Sequence, residues 1–252
     1  MASLFQRLKA RLALQMRRLF RPRWLYLLAK RLRPISVMAG IDRGRPIDRY
    51  FIEKFLDARQ HLVRGHCLEI KDNAYTVRFG GSKVTKSDIL DINRENKEAT
   101  IYGDLKNLSM IADETYDCFI LTQVLQYVDD LDRALSECVR ILKPGGALLV
   151  TVPSLGKLDG QEDNVIGHYW RLTPDSARYL FRKHFPAENL EIQGWGNILV
   201  GLSFWIGLAC EEMSRKKLDY YDPSFACGVS IQAIKPATAP TGAPAAEVPG
   251  SS

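Results

Sequence analysis

The sequence predicts an α/β protein in which helices flank a mainly parallel, seven-stranded sheet. Short apolar runs alternate along the chain with segments of helical periodicity, as in strands that are joined by helices. The run "ALLVTVP" (147–153) is apolar throughout, which is typical of a strand covered on both faces. The 252-residue chain is 46% apolar and 25% charged, which suits one globular domain with extensions.

The clearest single element is a helix predicted over 131–142. Apolar residues recur there at i, i+3 and i+4, Asp129 or Asp130 can cap its start, and the turn "KPGG" (143–146) ends it. The apolar run 198–210 is too short to span a bilayer and is interpreted as a buried helix. Further helices are predicted at 45–62 and 173–185. The predicted strands are 67–70, 88–92, 99–105, 116–122, 147–153, 190–195 and 225–235.

Basic residues are concentrated at the N-terminus. Ten of the 35 Lys and Arg lie in residues 1–33, which contain no acid, so the remainder of the chain carries −4 while the whole carries +6. Apolar residues at helical spacing between them predict a basic amphipathic helix. Such a helix packs on the protein body or a partner, lies on an anionic membrane surface, or serves as a mitochondrial presequence. Because the body is acidic, the pI does not indicate a nucleic-acid partner.

Three regions follow from these patterns: a basic amphipathic arm (1–45), a globular domain (46–235) and a Pro/Ala-rich tail (236–252) that is expected to be disordered. The apolar runs of the arm are shorter than the ~18–20 residues that span a bilayer, and no secretory cleavage site follows them. The five cysteines show neither C-x-x-C nor metal-ligand spacing and are interpreted as buried thiols of a reducing compartment. We expect a cytoplasmic protein, with peripheral contact to the inner membrane surface through residues 1–33 as an option.

One long segment is specific enough to suggest a family. Residues 116–154, "YDCFILTQVLQYVDDLDRALSECVRILKPGGALLVTVPS", combine an apolar strand, a small polar residue, a helix, R-x-L-K-P-G-G and a strand that ends in proline. This pattern resembles class I S-adenosylmethionine-dependent methyltransferases, and the resemblance extends roughly over 46–235. It implies a Rossmann-like fold and S-adenosyl-L-methionine as the cofactor. The later stretch "HYWRLTPDSARYLF" is similar to a bacterial branch that often accompanies glycosyltransferases.

The resemblance implies a cofactor site at the ends of the strands. Glu69 matches the acid that anchors the first turn and approaches the methionine amine, and Asp91 matches the acid that accepts hydrogen bonds from both ribose hydroxyls. Asp104 matches the acid that faces adenine. The alternatives are ordinary strand-end acids at the first two positions and a turn-forming aspartate at the third. The expected cofactor-binding residues are Glu69, Ile70, Lys71, Asp72, Asp91, Ile92, Asp104, Leu105, Thr122 and Gln123, the last two on the methionine side.

The turn after the first strand departs from the family pattern. It reads "IKDN" (70–73), with no glycine before Gly80, whereas glycine is usual because it tolerates positive φ and lets the backbone approach a ligand. The bacterial branch has a similar "LEI-x-D-x-x-Y-T-x-x-F-G" turn but usually keeps a glycine at the position of Lys71. The lysine side chain therefore turns to solvent, pairs with the methionine carboxylate or blocks the pocket.

The acceptor site is expected after the fifth strand. His168 is the candidate general base, since its intrinsic pKa suits proton transfer near neutrality, and the alternative is a packing or substrate-contacting residue. Tyr169, Trp170 and Arg171 would line the acceptor pocket. The resulting hypothesis is O-methylation of a small-molecule or saccharide-type acceptor. The rival is a catalytically silent, methyltransferase-like scaffold or membrane-associated interaction module, and a nicotinamide-dependent Rossmann enzyme fits "LKPGG" less well.

Overall fold

A computed structural model describes residues 32–158 and 167–237. The amphipathic helix predicted near the N-terminus and nearly all of the predicted tail lie outside these residues. Within them, one sheet has the strand order β3-β2-β1-β4-β5-β7-β6. Its strands are β1 Gly65–Ile70, β2 Val84–Asp91, β3 Ile101–Tyr102, β4 Tyr116–Thr122, β5 Leu142–Pro153, β6 Leu190–Trp195 and β7 Gly228–Ile234.

The pairing of the strands confirms the predicted mainly parallel sheet. β3, β2, β1, β4 and β5 are parallel to one another, and β7 is antiparallel to both β5 and β6. The helices of the described ranges are α1 Ile47–Ala58, α2 Leu131–Ile141, α3 Pro174–Phe181, α4 Ile198–Ile206 and α5 Arg215–Asp219. No helix in these two ranges is long and apolar enough to cross a bilayer.

Both faces of the central sheet are covered, which explains why the buried residues of β4 and β5 are almost all apolar. Cys118 and Ile120 of β4 pack on one face with α1, while Phe119 and Leu121 pack on the other face with α2 and α3. All five cysteines are buried and none forms a disulfide, which confirms the prediction of buried thiols. With its faces covered, the sheet leaves the carboxyl ends of its parallel strands for a ligand.

The two ends of α2 are formed in different ways. Asp130 caps α2 by accepting a hydrogen bond from the Arg133 backbone N–H at 3.0 Å, as predicted. The other end lies one residue before the predicted one: the helix ends at Ile141 with Leu142 as its C-cap, and the "KPGG" segment that follows belongs to β5. There Gly146 passes so close to the Lys143 and Tyr116 carbonyl oxygens that a Cβ atom would lie 2.8 and 3.0 Å from them. Gly146 thus occupies a close crossing that only glycine fits, within the stretch where the pairing of β4 with β5 is irregular.

Two further predictions need correction. The third strand is limited to Ile101–Tyr102 because the chain turns at Asp104, whose Oδ1 accepts from the Lys106 N–H at 2.9 Å. The run 198–210 does form a helix, but only over α4, where Gly207 at φ +77° ends it. Moreover α4 is not a buried helix, since one of its apolar faces is exposed.

Candidate active site

The candidate site lies where the strand order reverses direction. The chain proceeds from β1 outward to β2 and β3, then returns to place β4 on the other side of β1. Ligands of open α/β sheets bind in the crevice at this point, outside the carboxyl ends of the strands. In-register pairing of β1 with β2 and β4 brings Glu69, Asp91 and Thr122 to the same edge.

Glu69 holds the loop that follows β1. Its side chain is buried, and its carboxylate oxygens accept hydrogen bonds from the backbone N–H groups of Tyr75 at 3.2 Å and Thr76 at 2.7 Å. Burial disfavours the charged carboxylate and raises the pKa of Glu69 to about 7, although the two N–H groups act in the opposite direction. The acid therefore organises the loop from within.

Lys71 adopts the backbone conformation for which glycine is usual. Its φ is +73°, in the left-handed region. Its N–H donates to the Leu90 carbonyl at 3.0 Å, and its carbonyl accepts from the Asn96 side-chain amide at 2.7 Å. The residue is exposed. The turn thus keeps a glycine-like backbone conformation without a glycine. Hydrogen bonds to both the N–H and the carbonyl of Lys71 hold this conformation.

Lys71→Gly is expected to raise the free energy of unfolding by roughly 1 kcal/mol. A left-handed non-glycine residue costs about 1–2 kcal/mol, from which the greater backbone entropy of glycine in the unfolded chain removes about 0.5–1 kcal/mol. Urea denaturation measures the change. Lys71→Ala is the matched control, because it removes the side chain and retains the strain. Equal stabilisation by both variants would show that the lysine side chain, not its φ, is the unfavourable feature.

Asp91 ends β2, and its carboxylate can accept more hydrogen bonds than it does within the protein. Its Oδ1 accepts from the Asn93 N–H at 2.9 Å, and its Oδ2 accepts from the Asn96 side chain at 2.7 Å. Each carboxylate oxygen has two lone pairs, so each retains one for a further donor, which suits a diol. Asn96 ties the acid to the Lys71 carbonyl through the same amide nitrogen. Sequence reasoning missed Asn96, because nothing in a polar loop marks one asparagine as the link between two strand ends.

The adjacent residues offer an apolar surface and a turn. Ile92, directly after Asp91, is 64% exposed. Leu105 is buried, so only its backbone is available to a ligand. Asp104 forms the turn described above, while Lys106 contacts Asp129 at 2.6 Å. The turn-forming role weighed for Asp104 is therefore observed, and its proposed contact with adenine stays a prediction.

Gln126 connects the end of β4 to the predicted acceptor segment. Its side-chain amide donates to the Gln123 backbone carbonyl at 2.9 Å. Its backbone carbonyl accepts from the backbone N–H groups of Tyr169 and Trp170 at 2.8 and 3.3 Å. Gln123 has a φ of +54° and donates its N–H to the Thr151 carbonyl at 2.8 Å. The Gln126 Oε1 atom is buried and has no hydrogen-bond partner among the described residues. Such an atom indicates a missing polar neighbour, such as a ligand or water.

The four residues predicted for the acceptor site line one cavity of about 350 Å³. Its remaining lining residues are Ser154, Leu155, Gly156, Leu158 and Trp205. The Trp170 ring nitrogen donates to the Val128 carbonyl at 2.7 Å, which fixes the indole. The cavity is of a size that holds a small ligand.

Arg171 contacts His168 at the edge of this cavity. A guanidinium nitrogen lies 3.3 Å from His168 Nδ1, and the imidazole packs edge-on against the Tyr127 ring. Because a guanidinium can only donate, Nδ1 is the acceptor in this contact. Arg171 must therefore withdraw before Nδ1 can accept a proton from a substrate.

Comparison with known proteins identifies the domain. Residues 71–150 match the family model described as "Methyltransferase domain". Residues 71–150 therefore belong to a methyltransferase domain. Its fold is shared by the S-adenosylmethionine-dependent methyltransferase of Mesorhizobium loti, with a TM-score of 0.50 at 14% identity, covering 73% of this chain and 98% of the other. This likeness concerns the Rossmann-like class I fold, which is as predicted, and the cofactor of this class is S-adenosylmethionine.

Curated relatives of the methyltransferase domain match over shorter segments. A ubiquinone/menaquinone biosynthesis C-methyltransferase of Haemophilus ducreyi is 51% identical over 71 residues, which are 25% of this chain and 27% of the relative. A protein of the same description from Hydrogenovibrio crunogenus is 32% identical over 135 residues, covering 47% and 50%. A malonyl-[acyl-carrier protein] O-methyltransferase of Methylococcus capsulatus is 44% identical over 48 residues, covering 19% and 17%. The chain thus spans at most half the length of these relatives.

Proposed function

We propose that this protein is an S-adenosylmethionine-dependent methyltransferase that O-methylates a small-molecule or saccharide-type acceptor. The observation that carries the proposal is the link through Gln126, whose hydrogen bonds join the end of β4 to the residues that line the acceptor cavity. A cofactor at the strand ends and an acceptor in the cavity would then be neighbours. Holding two reactants in this way supplies much of the rate of a displacement reaction.

The described residues fit the proposed cofactor. Asp91 would accept from the ribose hydroxyls with its remaining lone pairs, and Ile92 would cover the adenine face. Glu69 would hold the first loop and attract the amine of the methionine part. Thr122 and Gln123 would line that same end. When bound, S-adenosylmethionine supplies an electrophilic methyl group.

The cavity residues fit an acceptor with hydroxyl groups. Tyr169 and Trp170 present flat apolar faces, and Arg171 and His168 present polar atoms around the same space. A hydroxyl nucleophile is helped by removal of its proton, and His168 Nδ1 would take it once Arg171 has turned toward the acceptor. Saccharide specificity rests on analogy with the bacterial branch, and the two O-methyltransferase matches extend over 48 and 87 residues.

The glycine-poor turn favours the rival hypothesis of a catalytically silent scaffold. This argument is weakened by the structure of the turn, because Lys71 supplies the left-handed φ that a glycine would supply and is itself exposed. The catalytic hypothesis therefore has the stronger support.

Calorimetric titration with S-adenosylhomocysteine tests the proposal, and wild-type protein is expected to bind one molecule per chain. His168→Gln is expected to leave this binding unchanged but to lower the rate of methyl transfer to an acceptor hydroxyl by about a hundredfold, the scale of general-base catalysis. The absence of binding by wild type, combined with binding by Lys71→Gly, would favour the silent scaffold instead.

A further inference from the structure

The exposed face of α4 has no partner in the described part of the chain. Ile198, Leu199, Leu202 and Trp205 are each 40–56% exposed, whereas Val200 on the other side is buried. Positions i, i+4 and i+7 place these side chains on one side of the helix. An apolar helix face of this size on a soluble domain marks a surface that contacts something apolar.

Two neighbouring segments extend this face. The N–H groups of Ile35 and Ser36 donate to the Ile206 carbonyl at 2.8 and 3.2 Å, so the segment 35–41 lies against the end of α4. The Lys157 ammonium donates to the Val37 carbonyl at 3.0 Å, which joins the loop after β5 to the same segment. We call the combined surface the apolar platform. It consists of the exposed side chains Ile35, Val37, Met38, Ile41, Leu158, Ile198, Leu199, Leu202 and Trp205.

The apolar platform adjoins the entrance of the acceptor cavity. Leu158 and Trp205 belong to both, since each lines the cavity and each is about half exposed. Gly156 lies beside the Phe204 ring, so the loop that carries Leu158 is packed directly on α4. A molecule with its apolar part on the platform would therefore have its polar end at the cavity.

The part of the sequence that leads into the platform is strongly basic. α4 contains no charged residue, the segment 154–158 contains only Lys157, and the segment 32–41 contains only Arg33. Residues 1–33, with ten basic residues and no acid, lead directly into the platform. Anionic lipid headgroups supply both the counter-charge and an apolar layer beneath it.

We infer that the apolar platform docks on an anionic membrane surface, and that the acceptor is an amphipathic lipid whose polar head enters the cavity. The second part rests on the proposed function and narrows its acceptor class. The apolar portion of the lipid stays at the bilayer beside Leu158 and Trp205. The basic N-terminal segment adds electrostatic attraction to the same surface.

Vesicle co-sedimentation of the full chain tests the docking surface. With vesicles of phosphatidylglycerol and phosphatidylcholine, Leu202→Glu is expected to lower the partition coefficient about tenfold or more, because an inserted leucine is replaced by a charge. Tyr179→Glu is the matched control. It changes a side chain that is 72% exposed on α3, outside the platform, and should bind vesicles as wild type does.

Equal vesicle binding by wild type and Leu202→Glu would overturn the docking surface, as would no binding by wild type. The latter result is expected if residues 1–31 cover the platform. A Leu202-dependent dimer in sedimentation velocity, without vesicle binding, would assign the platform to a second copy and overturn the membrane inference. Binding of S-adenosylhomocysteine by both variants confirms that they are folded.

Methyl transfer from labelled S-adenosylmethionine to a bacterial lipid extract tests the acceptor class. Label is expected in the chloroform-soluble fraction, reduced about tenfold or more by Leu202→Glu and unchanged by Tyr179→Glu. Vesicle binding with label only in water-soluble saccharides would overturn the lipid acceptor. Failure of wild type to bind S-adenosylhomocysteine would instead overturn the proposed function itself, so the two failures are distinguishable.

Discussion

Asp91→Ala is expected to weaken S-adenosylhomocysteine binding by about a hundredfold or more. The substitution removes the proposed acceptors of two ribose hydroxyls, and each hydrogen bond to a charged group contributes about 1.5–3 kcal/mol. It also releases the Asn96 side chain from Asp91 Oδ2, so the Lys71 carbonyl loses its support. Calorimetric titration measures the change in affinity.

Glu95→Ala provides the control for this prediction. Glu95 is an exposed acid of the same loop, and its removal changes the charge as Asp91→Ala does. Affinity should then stay near the wild-type value. Equal losses in the two variants would mean that charge alone is responsible, and an unchanged affinity in Asp91→Ala would refute the ribose assignment.

The second large effect is a dependence of stability on pH that originates at Glu69. The folded-state pKa of about 7 lies above the ordinary value of 4.5, so between these values the folded chain binds a proton that the unfolded chain has lost. The free energy of unfolding therefore falls as the pH rises through this window, by roughly 3 kcal/mol in total. The stabilising contribution is complete below the unfolded pKa and is lost as the pH passes the folded one.

Glu69→Gln isolates this effect, because glutamine keeps a carbonyl acceptor for the loop and does not titrate. Urea denaturation of both proteins at about pH 5 and about pH 8 gives the comparison. The difference between wild type and variant should move in favour of the variant at the higher pH. Parallel pH profiles would show that Glu69 is ionised at an ordinary pKa despite its burial.

The sequence was informative where a residue's role depends on its position in a strand. Glu69, Asp91 and Thr122 could be placed together because the methyltransferase resemblance assigns all three to one cofactor site at the strand ends, and parallel strands end at a common edge. Asn96 and Gln126 could not be found, since their roles depend on which two loops meet in space. The exposed face of α4 was also missed, because the helix has no charged residue and its one polar residue, Ser203, is buried.

The left-handed Lys71 also bears on how this turn changes during evolution. A difference of about 1 kcal/mol between lysine and glycine is small beside the 5–15 kcal/mol by which domains are stable. Exchange between the two residues is therefore nearly neutral as long as the Leu90 and Asn96 hydrogen bonds hold the peptide. At this position evolution must preserve the left-handed backbone conformation and not the type of residue. A search for cofactor pockets that requires glycines in this turn will therefore miss chains in which a lysine adopts the same backbone conformation.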